Sequence, residues 1–360
     1  MNTMDSTSCM GHDGAISEQA QPMVSVVLPI RNEVDFIEQN LQQILDQDYP
    51  SDRLEIVVAD GMSDDGTRQV LERFEHIPRV KVIDNPEQIV PTGLNEAIRQ
   101  SRGDVIVRVD GHVIVAKNFI SQSIAALHDH ADAWASGGVI VHSAETPMGK
   151  AIAAAMSHRL GVGNAMHRDP TFEGYGEGTA FPAIHRWVFD RIGFYDENLV
   201  RNQDDEFYFR LRQAGGKFFV TPEIKYRYYV REKLSHLFRQ YYQYSFWRVP
   251  VIRKHRQPTT IRQMIPSLFY LTMAFALIAG IVLSNAWIAF GIPTVYLTML
   301  LMAGIYKIPA VGPNVALRIP LAIITMHTAY ALGMIHGAGC LVIGVDGWQR
   351  SNRRAVALSR

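Results

Sequence analysis

The hydrophobic and polar positions in the first third of the chain alternate between two patterns. Short runs rich in β-branched residues occur at 24–30, 54–59, 80–83 and 104–109. The segments between them, at 34–47, 67–75 and 92–101, have apolar residues at helical spacing. Strands that alternate with helices form a mostly parallel sheet with helices on its faces. The pattern therefore predicts an α/β domain, with boundaries at 23–262.

The last third of the chain is almost free of charged residues. Residues 263–345 contain no Asp or Glu, and Lys307 and Arg318 are their only basic side chains. Three apolar stretches stand out, at about 267–283, 286–306 and 319–345. Their lengths are close to or above the ~20 residues that a bilayer-spanning helix needs. Ser284 and Asn285 predict a tight turn, so the first two stretches are expected to form a helical hairpin in a transmembrane region.

Basic segments flank these stretches and leave the orientation open. They are residues 253–262, the loop with Lys307 and Arg318, and the tail, 346–360. The positive-inside rule places all three on the cytoplasmic side, which three crossings do not allow. Either the tail is exported despite its charge, or the stretch 319–345, which carries Gly333, Gly337 and Gly339, turns back within the membrane.

The remaining composition excludes several classes of protein. The 35 basic and 35 acidic residues balance, which argues against a nucleic-acid binder held by bulk charge. Cys9 and Cys340 are the only cysteines; they exclude a disulfide scaffold and fit a reducing compartment. Residues 1–22 lack a basic-then-apolar run, so they are predicted to be a disordered leader rather than a signal peptide. The soluble domain is therefore expected in the cytoplasm.

Polar residues cluster where the predicted strands end, and in open parallel sheets ligands bind beyond the carboxyl ends of the strands. The first strand runs into Pro29, Asn32 and Glu33, and the second ends at Asp60, with Asp65 shortly after. Asn32 can cap the following helix. Asp60 lies at the strand tip, too early for a cap, and can accept hydrogen bonds from a nucleobase or ribose. Taken alone, a structural turn explains this second motif as well.

The fourth predicted strand ends in Asp110-Gly111-His112. In extended chain, Asp110 and His112 point to the same side. A carboxylate and an imidazole that converge in this way can hold a divalent cation, Mn²⁺ or Mg²⁺, which in turn can bind a diphosphate. A solvent-facing loop with an incidental histidine is the alternative. The position at a third neighbouring strand end favours the metal site.

Two later segments carry further candidate chemistry. Gly178 and Thr179 lie in a stretch of small residues that lets a bulky substrate approach the backbone, although a plain turn explains it equally well. Asp204, Asp205 and Glu206 open a predicted helix. Acids at a helix start are stabilised by its dipole, but three in succession exceed what a cap needs. We therefore expect a general base among them.

Together these motifs resemble the cytoplasmic family 2 glycosyltransferases of the GT-A fold, over about residues 23–255. The residues that carry the resemblance are Pro29, Asn32, Glu33, Asp60, Ser63, Asp65, Gly66, Thr67, Asn95, Gly103, Asp104, Asp110, Gly111 and His112. His112 stands where the family commonly has a second Asp. This looks like a variant of the membrane-associated enzymes of the succinoglycan-biosynthesis ExoA type. An imidazole ligand would shift the metal preference toward Mn²⁺.

The resemblance implies roles for individual residues. Asp60 would contact the uracil of a UDP-sugar, and Asp110 and His112 would occupy the Asp-x-Asp position. The family's Glu-Asp pair falls on Gln203-Asp204, so Asp204 is the expected general base. Asp205 is the second choice, since successive helical residues point about 100° apart.

The aromatic segment 234–247, followed by Arg248, predicts an interfacial helix, with a core helix as the alternative. Gln243, Trp247 and Arg248 loosely resemble the Gln-x-x-Arg-Trp of processive synthases, but Phe246 occupies the Arg place. This departure favours transfer of a single sugar, with Trp247 and Arg248 near the diphosphate or the acceptor.

The expected activity is inverting transfer from a UDP-sugar to a hydroxyl of a polyprenyl-diphosphate-linked saccharide, for exopolysaccharide or other surface-glycan assembly at a bacterial inner membrane. Two alternatives remain. One is transfer directly to a polyprenyl phosphate, which needs little base catalysis. The other is a non-catalytic membrane scaffold with a decayed nucleotide site, suggested by His112 and Gln203.

Overall fold

The structure is a computed structural model that describes residues 21–344. The predicted basic tail, Cys9 and all but the last two residues of the predicted leader lie outside this range. The strands are β1 (Val24–Ile30), β2 (Leu54–Asp60), β3 (Val80–Asp84), β4 (Val105–Arg108), β5 (Ile114–Val115), β6 (Ala135–Gly138), β7 (Val141–Ser143), β8 (Gly174–Gly176), β9 (Ala183–His185), β10 (Phe218–Thr221) and β11 (Tyr226–Tyr229).

The helices divide between the two halves of the chain. In the first half they are α1 (Ile37–Leu45), α2 (Thr67–Glu72), α3 (Val90–Gln100), α4 (Phe119–Asp129), α5 (Pro147–Met156) and α6 (Arg159–Val162). In the second half they are α7 (Arg186–Ile192), α8 (Gln203–Gln213), α9 (Leu234–His255), α10 (Ile265–Val282), α11 (Ala286–Val311), α12 (Pro313–Ala316) and α13 (Ile319–Val342).

The main sheet has the strand order β3-β2-β1-β4-β9-β6-β10-β8. Its first four strands are parallel, and they are the four strands that the β-branched runs predict. β9 then runs antiparallel between β4 and β6. β10 is parallel to β6, and β8 closes the edge in the antiparallel direction. The mostly parallel half therefore brings the carboxyl ends of β1, β2 and β4 to one edge.

Both faces of the sheet are covered, which explains why its strands are apolar at almost every position. Val26 and Leu28 of β1 pack with apolar residues of α1 and α4. Val27 points the other way and packs with residues of α3, α7 and α8. The alternation of side chains along a strand places these neighbours on opposite faces. A small second sheet, in the order β5-β11-β7, lies beside the first.

Three helices of the described residues are long and apolar enough to cross a membrane. The first two form the predicted hairpin: Asn285 caps α11, its Oδ1 accepting from Trp287 N at 3.0 Å and Ile288 N at 3.3 Å. At the hairpin tip, Gly280 lies so close to Ala289 that a Cβ there would overlap it. Most of the surface of α10 and α11 is exposed and apolar.

The third long helix, α13, packs along α9. Gly333 lies against Tyr242 and Ser245, and Gly337 lies against Phe246 and Val249, at distances that leave no space for side chains on the glycines. We call this contact the glycine seam. α13 is uninterrupted from start to end, so the described residues contain no reversal within it. α9, expected at the membrane interface, is longer than predicted and buries residues along its whole length.

Candidate active site

A cavity of about 1170 Å³ opens at the carboxyl ends of β1 and β4 and extends to the candidate membrane-spanning helices α10 and α11. The predicted site residues that line it are Pro29, Glu33, Asp110, His112, Gly178, Thr179, Asp204, Asp205 and Arg248. Those that do not line it are Asn32, Asp60, Asp65 and Trp247. The geometry of each group explains the difference.

Asn32 and Asp65 join two loops to each other. The Asn32 side chain exchanges two hydrogen bonds of 2.9 Å with Asp64, one to its carboxylate and one from its backbone N–H. Asp65 accepts from Thr67 Oγ1 at 2.6 Å and from Val34 N at 3.3 Å. Asn32 adopts a positive φ of 56° and does not cap α1, which begins further along the chain. Both residues therefore fix the shape of the strand-end loops behind the cavity wall.

Asp60 is fully buried at the tip of β2. Its carboxylate accepts from Ser63 Oγ at 2.5 Å, from Ser63 N at 3.1 Å and from Arg68 Nε at 2.6 Å. Arg68 also pairs with Asp84 at the end of β3. The predicted contact with a nucleobase is therefore not supported by this geometry, because protein donors already occupy the carboxylate.

Asp110 and His112 each have a partner that the sequence did not suggest. The two oxygens of Asp110 accept from Arg108, Nε to Oδ1 at 3.0 Å and Nη2 to Oδ2 at 3.3 Å. His112 Nδ1 lies 3.0 Å from Glu33 Oε1. This hydrogen bond is the main cause of a raised pKa for His112, and burial opposes it. Glu33, expected at the nucleotide, thus holds the imidazole ring.

These residues fit a metal site with few protein ligands. Within residues 21–344, no group of three or more His, Cys, Asp or Glu side chains is arranged to hold a cation. Asp110 and His112 would therefore supply only two ligands, and a diphosphate and water would supply the others, as is common for Mg²⁺. Metal-binding histidines usually donate their second ring N–H to a carboxylate. The bond from Nδ1 to Glu33 gives His112 this arrangement and leaves Nε2 as the ligand atom.

The two aspartates at the start of α8 differ in their partners. Asp205 Oδ2 pairs with Arg248 and accepts from Thr259 Oγ1 at 2.8 Å. Asp204 Oδ1 accepts only from the adjacent backbone N–H, and its Oδ2 lies 3.8 Å from Arg108 Nη1. Its side chain is 37% exposed. A base must have a carboxylate free to accept a proton, so the geometry favours Asp204 over Asp205.

Arg108 lies in the cavity between Asp110 and Asp204 and was not identified from the sequence. Its guanidinium contacts Asp110 on one side and approaches Asp204 on the other. Burial lowers the pKa of Arg108, but the two carboxylates outweigh it, and the net pKa is raised. Because Arg108 is two residues before Asp110 on a strand, alternation alone puts both side chains on one side. This alternation is the sequence feature from which Arg108 could have been identified.

The small-residue stretch lines the cavity, whereas Trp247 does not. Contact of this stretch with a substrate stays a prediction. Gly178 lies against the ring of Tyr208 with no space for a Cβ, and Thr179 Oγ1 donates to Gly138 O at 2.6 Å. Trp247 is 2% exposed and packs with Phe246 in a small apolar cluster. The aromatic ring therefore stabilises α9 and does not reach the cavity.

Comparison with known proteins identifies the family. Residues 25–174 match the family described as Glycosyl transferase family 2. Over 265 residues the chain is 31% identical to the succinoglycan biosynthesis protein ExoA of Rhizobium meliloti, covering 71% of this chain and 78% of that protein. The chain belongs to glycosyl transferase family 2. It is a glycosyltransferase of glycan biosynthesis and similar to ExoA.

Two more distant matches are consistent with membership of family 2. A Methanococcus voltae protein named dolichyl N-acetyl-alpha-D-glucosaminyl phosphate 3-beta-D-2,3-diacetamido-2,3-dideoxy-beta-D-glucuronosyltransferase is 23% identical over 240 residues, 64% of this chain and 74% of its own. The structure of the mannosyltransferase PcManGT from Pyrobaculum calidifontis, in complex with GDP-Man and Mn²⁺, aligns with a TM-score of 0.54 at 20% identity. The alignment covers 87% of this chain and 88% of PcManGT. The predicted GT-A fold is confirmed.

Proposed function

We propose that this family 2 glycosyltransferase moves a sugar from a UDP-sugar to a hydroxyl of a polyprenyl-diphosphate-linked saccharide, in the assembly of an exopolysaccharide or another surface glycan. The observation that carries the proposal is that Asp110 and Asp204 line one cavity on the two sides of Arg108. Asp110, through a bound cation, would face the leaving diphosphate. Asp204 would face the attacking hydroxyl.

The proposed mechanism is a single displacement that inverts the anomeric carbon. Asp204 takes the proton from the acceptor hydroxyl as the hydroxyl oxygen attacks the anomeric carbon of the sugar. Asp110 and His112 would hold a divalent cation, Mn²⁺ or Mg²⁺, which when bound neutralises the departing diphosphate. Arg108 keeps Asp110 oriented and adds positive charge between the reacting groups.

The names of the relatives support a glycan pathway with lipid-linked intermediates. The Rhizobium protein is named for succinoglycan biosynthesis, and the name of the Methanococcus protein includes a dolichyl-linked sugar phosphate. The uridine nucleotide is proposed from the resemblance to family 2 enzymes and not from a contact within the cavity. We further propose a bacterial inner-membrane location with the catalytic domain in the cytoplasm, because basic residues 253–262 precede the first candidate span.

A donor screen tests this proposal. Purified full-length protein, incubated with lipid extract of the source cell, is expected to add one sugar to a lipid-linked saccharide with one UDP-sugar, detected by mass spectrometry as a defined mass increase. The Asp204→Ala variant is the matched control and should give about a hundredfold less product, or less still, in the same time. Product with a GDP-sugar but with no UDP-sugar would contradict the proposed donor.

Removal of divalent cations is expected to reduce turnover at least tenfold, since the diphosphate would leave without a neutralising charge. The rate of UDP release, measured before and after treatment with a chelator, gives the size of this reduction. Added Mn²⁺ should restore the rate. In Asp110→Asn, which lacks a charged ligand, residual turnover should respond little to the chelator. Full activity in the chelator-treated enzyme would rule out the metal site.

A further inference from the structure

The cavity continues from the carboxylates to an apolar wall formed by the membrane helices. Phe269 of α10 and Ile292, Val295 and Met299 of α11 line it. The two helices are in contact there, because the rings of Phe269 and Tyr296 have centroids 5.0 Å apart. We call the part lined by these four apolar side chains the tail groove. A nucleotide sugar has no apolar part that would match such a wall.

The cavity also has more positive charge than the donor requires. Ten arginines and five carboxylates line it. Of these arginines, only Arg108, Arg248 and Arg262 pair with a carboxylate within the described residues. The diphosphate of a UDP-sugar carries two negative charges, and its divalent cation balances them. Binding of the donor would therefore leave an excess of positive charge that attracts a second anion.

Three of these arginines line the cavity on α6, in the segment after it and directly before α10, the helix that carries Phe269. Arg159 opens α6, and Arg168 follows it in the loop that leads to β8; neither makes an ion pair in the part of the chain that the structure describes. Arg262 precedes α10, where its Nη2 pairs with Glu177 Oε2 at 2.5 Å. Arg168 also donates to Met156 O at 3.3 Å.

Of the three arginines, Arg262 pairs with Glu177, whereas Arg159 and Arg168 make no ion pair in the described part of the chain. Burial, followed by Arg168 and Arg262, lowers the pKa of the adjacent His167 to about 3, so this imidazole is neutral. Glu177 joins Arg262 to α8: its carboxylate pairs with Arg262, and its backbone carbonyl accepts from Arg212. The same cavity therefore contains the carboxylate base, these three arginines and the apolar groove.

These three features match the saccharide, the diphosphate and the polyprenyl chain of one lipid-linked acceptor. We propose that Arg159, Arg168 and Arg262 bind the diphosphate of the acceptor lipid and that its first isoprene units lie in the tail groove. This inference rests on the proposed function for the identity of the acceptor. The site holds the saccharide against Asp204 while the rest of the lipid remains in the bilayer.

Gly291 provides a variant that fills the groove without disturbing its walls. It lines the cavity on α11, and a Cβ added there meets no atom within 4 Å. Gly291→Leu should therefore fold normally and obstruct the polyprenyl chain. Gly339→Leu is the matched control, because Gly339 lies on α13, does not line the cavity and likewise has no atom within 4 Å of an added Cβ.

The test measures binding of farnesyl diphosphate and inorganic pyrophosphate to the full chain in nanodiscs, with saturating UDP and Mn²⁺ occupying the donor site. The wild type should bind farnesyl diphosphate at least tenfold more tightly than pyrophosphate, because the groove buries apolar carbons. Gly291→Leu should lose this preference and keep its affinity for pyrophosphate, while Gly339→Leu should keep both. Arg168→Gln should weaken both ligands.

Unchanged binding of farnesyl diphosphate by Gly291→Leu would overturn the tail groove. A farnesyl phosphate arm tests the charge of the headgroup: the three arginines predict weaker binding than for the diphosphate, and equal affinity would contradict their role. Failure of the proposed function gives a different result. In that case the variants would show the expected binding pattern, yet the wild type would transfer no sugar to lipid-linked saccharides.

Discussion

Asp204→Ala is expected to lower kcat by about 10²–10⁴-fold, the usual contribution of general base catalysis. Asp204 has the freer of the two carboxylates at the start of α8, since its contact with Arg108 is 3.8 Å long. The loss should appear in kcat and not in the affinity for the donor, because the base acts on the acceptor hydroxyl. Steady-state release of UDP and direct titration of UDP measure the two quantities separately.

Asp205→Ala is the control for this prediction. Its carboxylate pairs with Arg248 and Thr259, so its loss should disturb the contact between α8 and α9 more than the chemistry. Near-normal turnover in Asp204→Ala would disprove the assignment of the base. Retained turnover in Asp204→Asn with a polyprenyl phosphate as acceptor would favour direct transfer to the lipid phosphate, because a phosphate needs little base catalysis.

Glu206→Ala is expected to lower the free energy of unfolding by about 3–5 kcal/mol, the cost of breaking a buried ion pair. Glu206 is fully buried on α8, where it accepts from Arg210 Nε at 3.0 Å and His255 Nε2 at 2.9 Å and pairs with Lys254 Nζ at 2.8 Å. Without it, these basic groups from α8 and α9 would be close together with no carboxylate at their centre. Denaturant unfolding in detergent micelles, followed by tryptophan fluorescence, measures the change.

Glu223→Ala is the matched control, since Glu223 pairs with Lys225 at 3.8 Å and both side chains are largely exposed. Exposed pairs of this kind contribute about 0–1 kcal/mol, so this variant should unfold almost as the wild type does. Equal destabilisation by the two substitutions would show that the buried network does not hold α8 to α9.

The network also gives the stability a defined dependence on pH. Burial alone would raise the pKa of Glu206, but hydrogen bonds from Arg210 and Lys254 outweigh it and lower the pKa below its usual 4.5. A lowered pKa in the folded state means that the stabilisation is complete above the unfolded value and is lost as the pH falls through the folded one. As the pH is lowered, the free energy of unfolding of Glu206→Gln should therefore fall less than that of the wild type.

The parallel half of the fold could be predicted because its strands are buried on both faces and alternate with amphipathic helices. The half of the sheet that mixes parallel and antiparallel strands could not be predicted. β6 is Ala135–Gly138, a run of small residues that lacks the β-branched pattern, and β9 has only three residues. Their pairing depends on contacts between distant segments, such as Thr179 against Gly137, which no local pattern shows.

The same division applies to the site. Asp110, His112 and Asp204 could be predicted, because a strand end or a helix start exposes them to the cavity. Asp60 also lies at a strand end, but Arg68 and Ser63 occupy its carboxylate, and such pairing is decided by side-chain packing. The Glu33–His112 contact likewise joins residues far apart in sequence. Position on an element can be inferred from sequence, whereas the choice of partner requires the tertiary structure.

The glycine seam makes the catalytic half dependent on the C-terminal apolar helices. α13 covers apolar residues of α5 and α9, including Ile152, Ala155 and Leu237, none of which is more than 2% exposed. A fragment shortened after α9 would uncover this surface to water, and bare apolar patches of that kind promote aggregation. Efforts to obtain a soluble enzyme by removing the C-terminal helices should therefore yield insoluble material unless α13 is retained or its footprint is made polar.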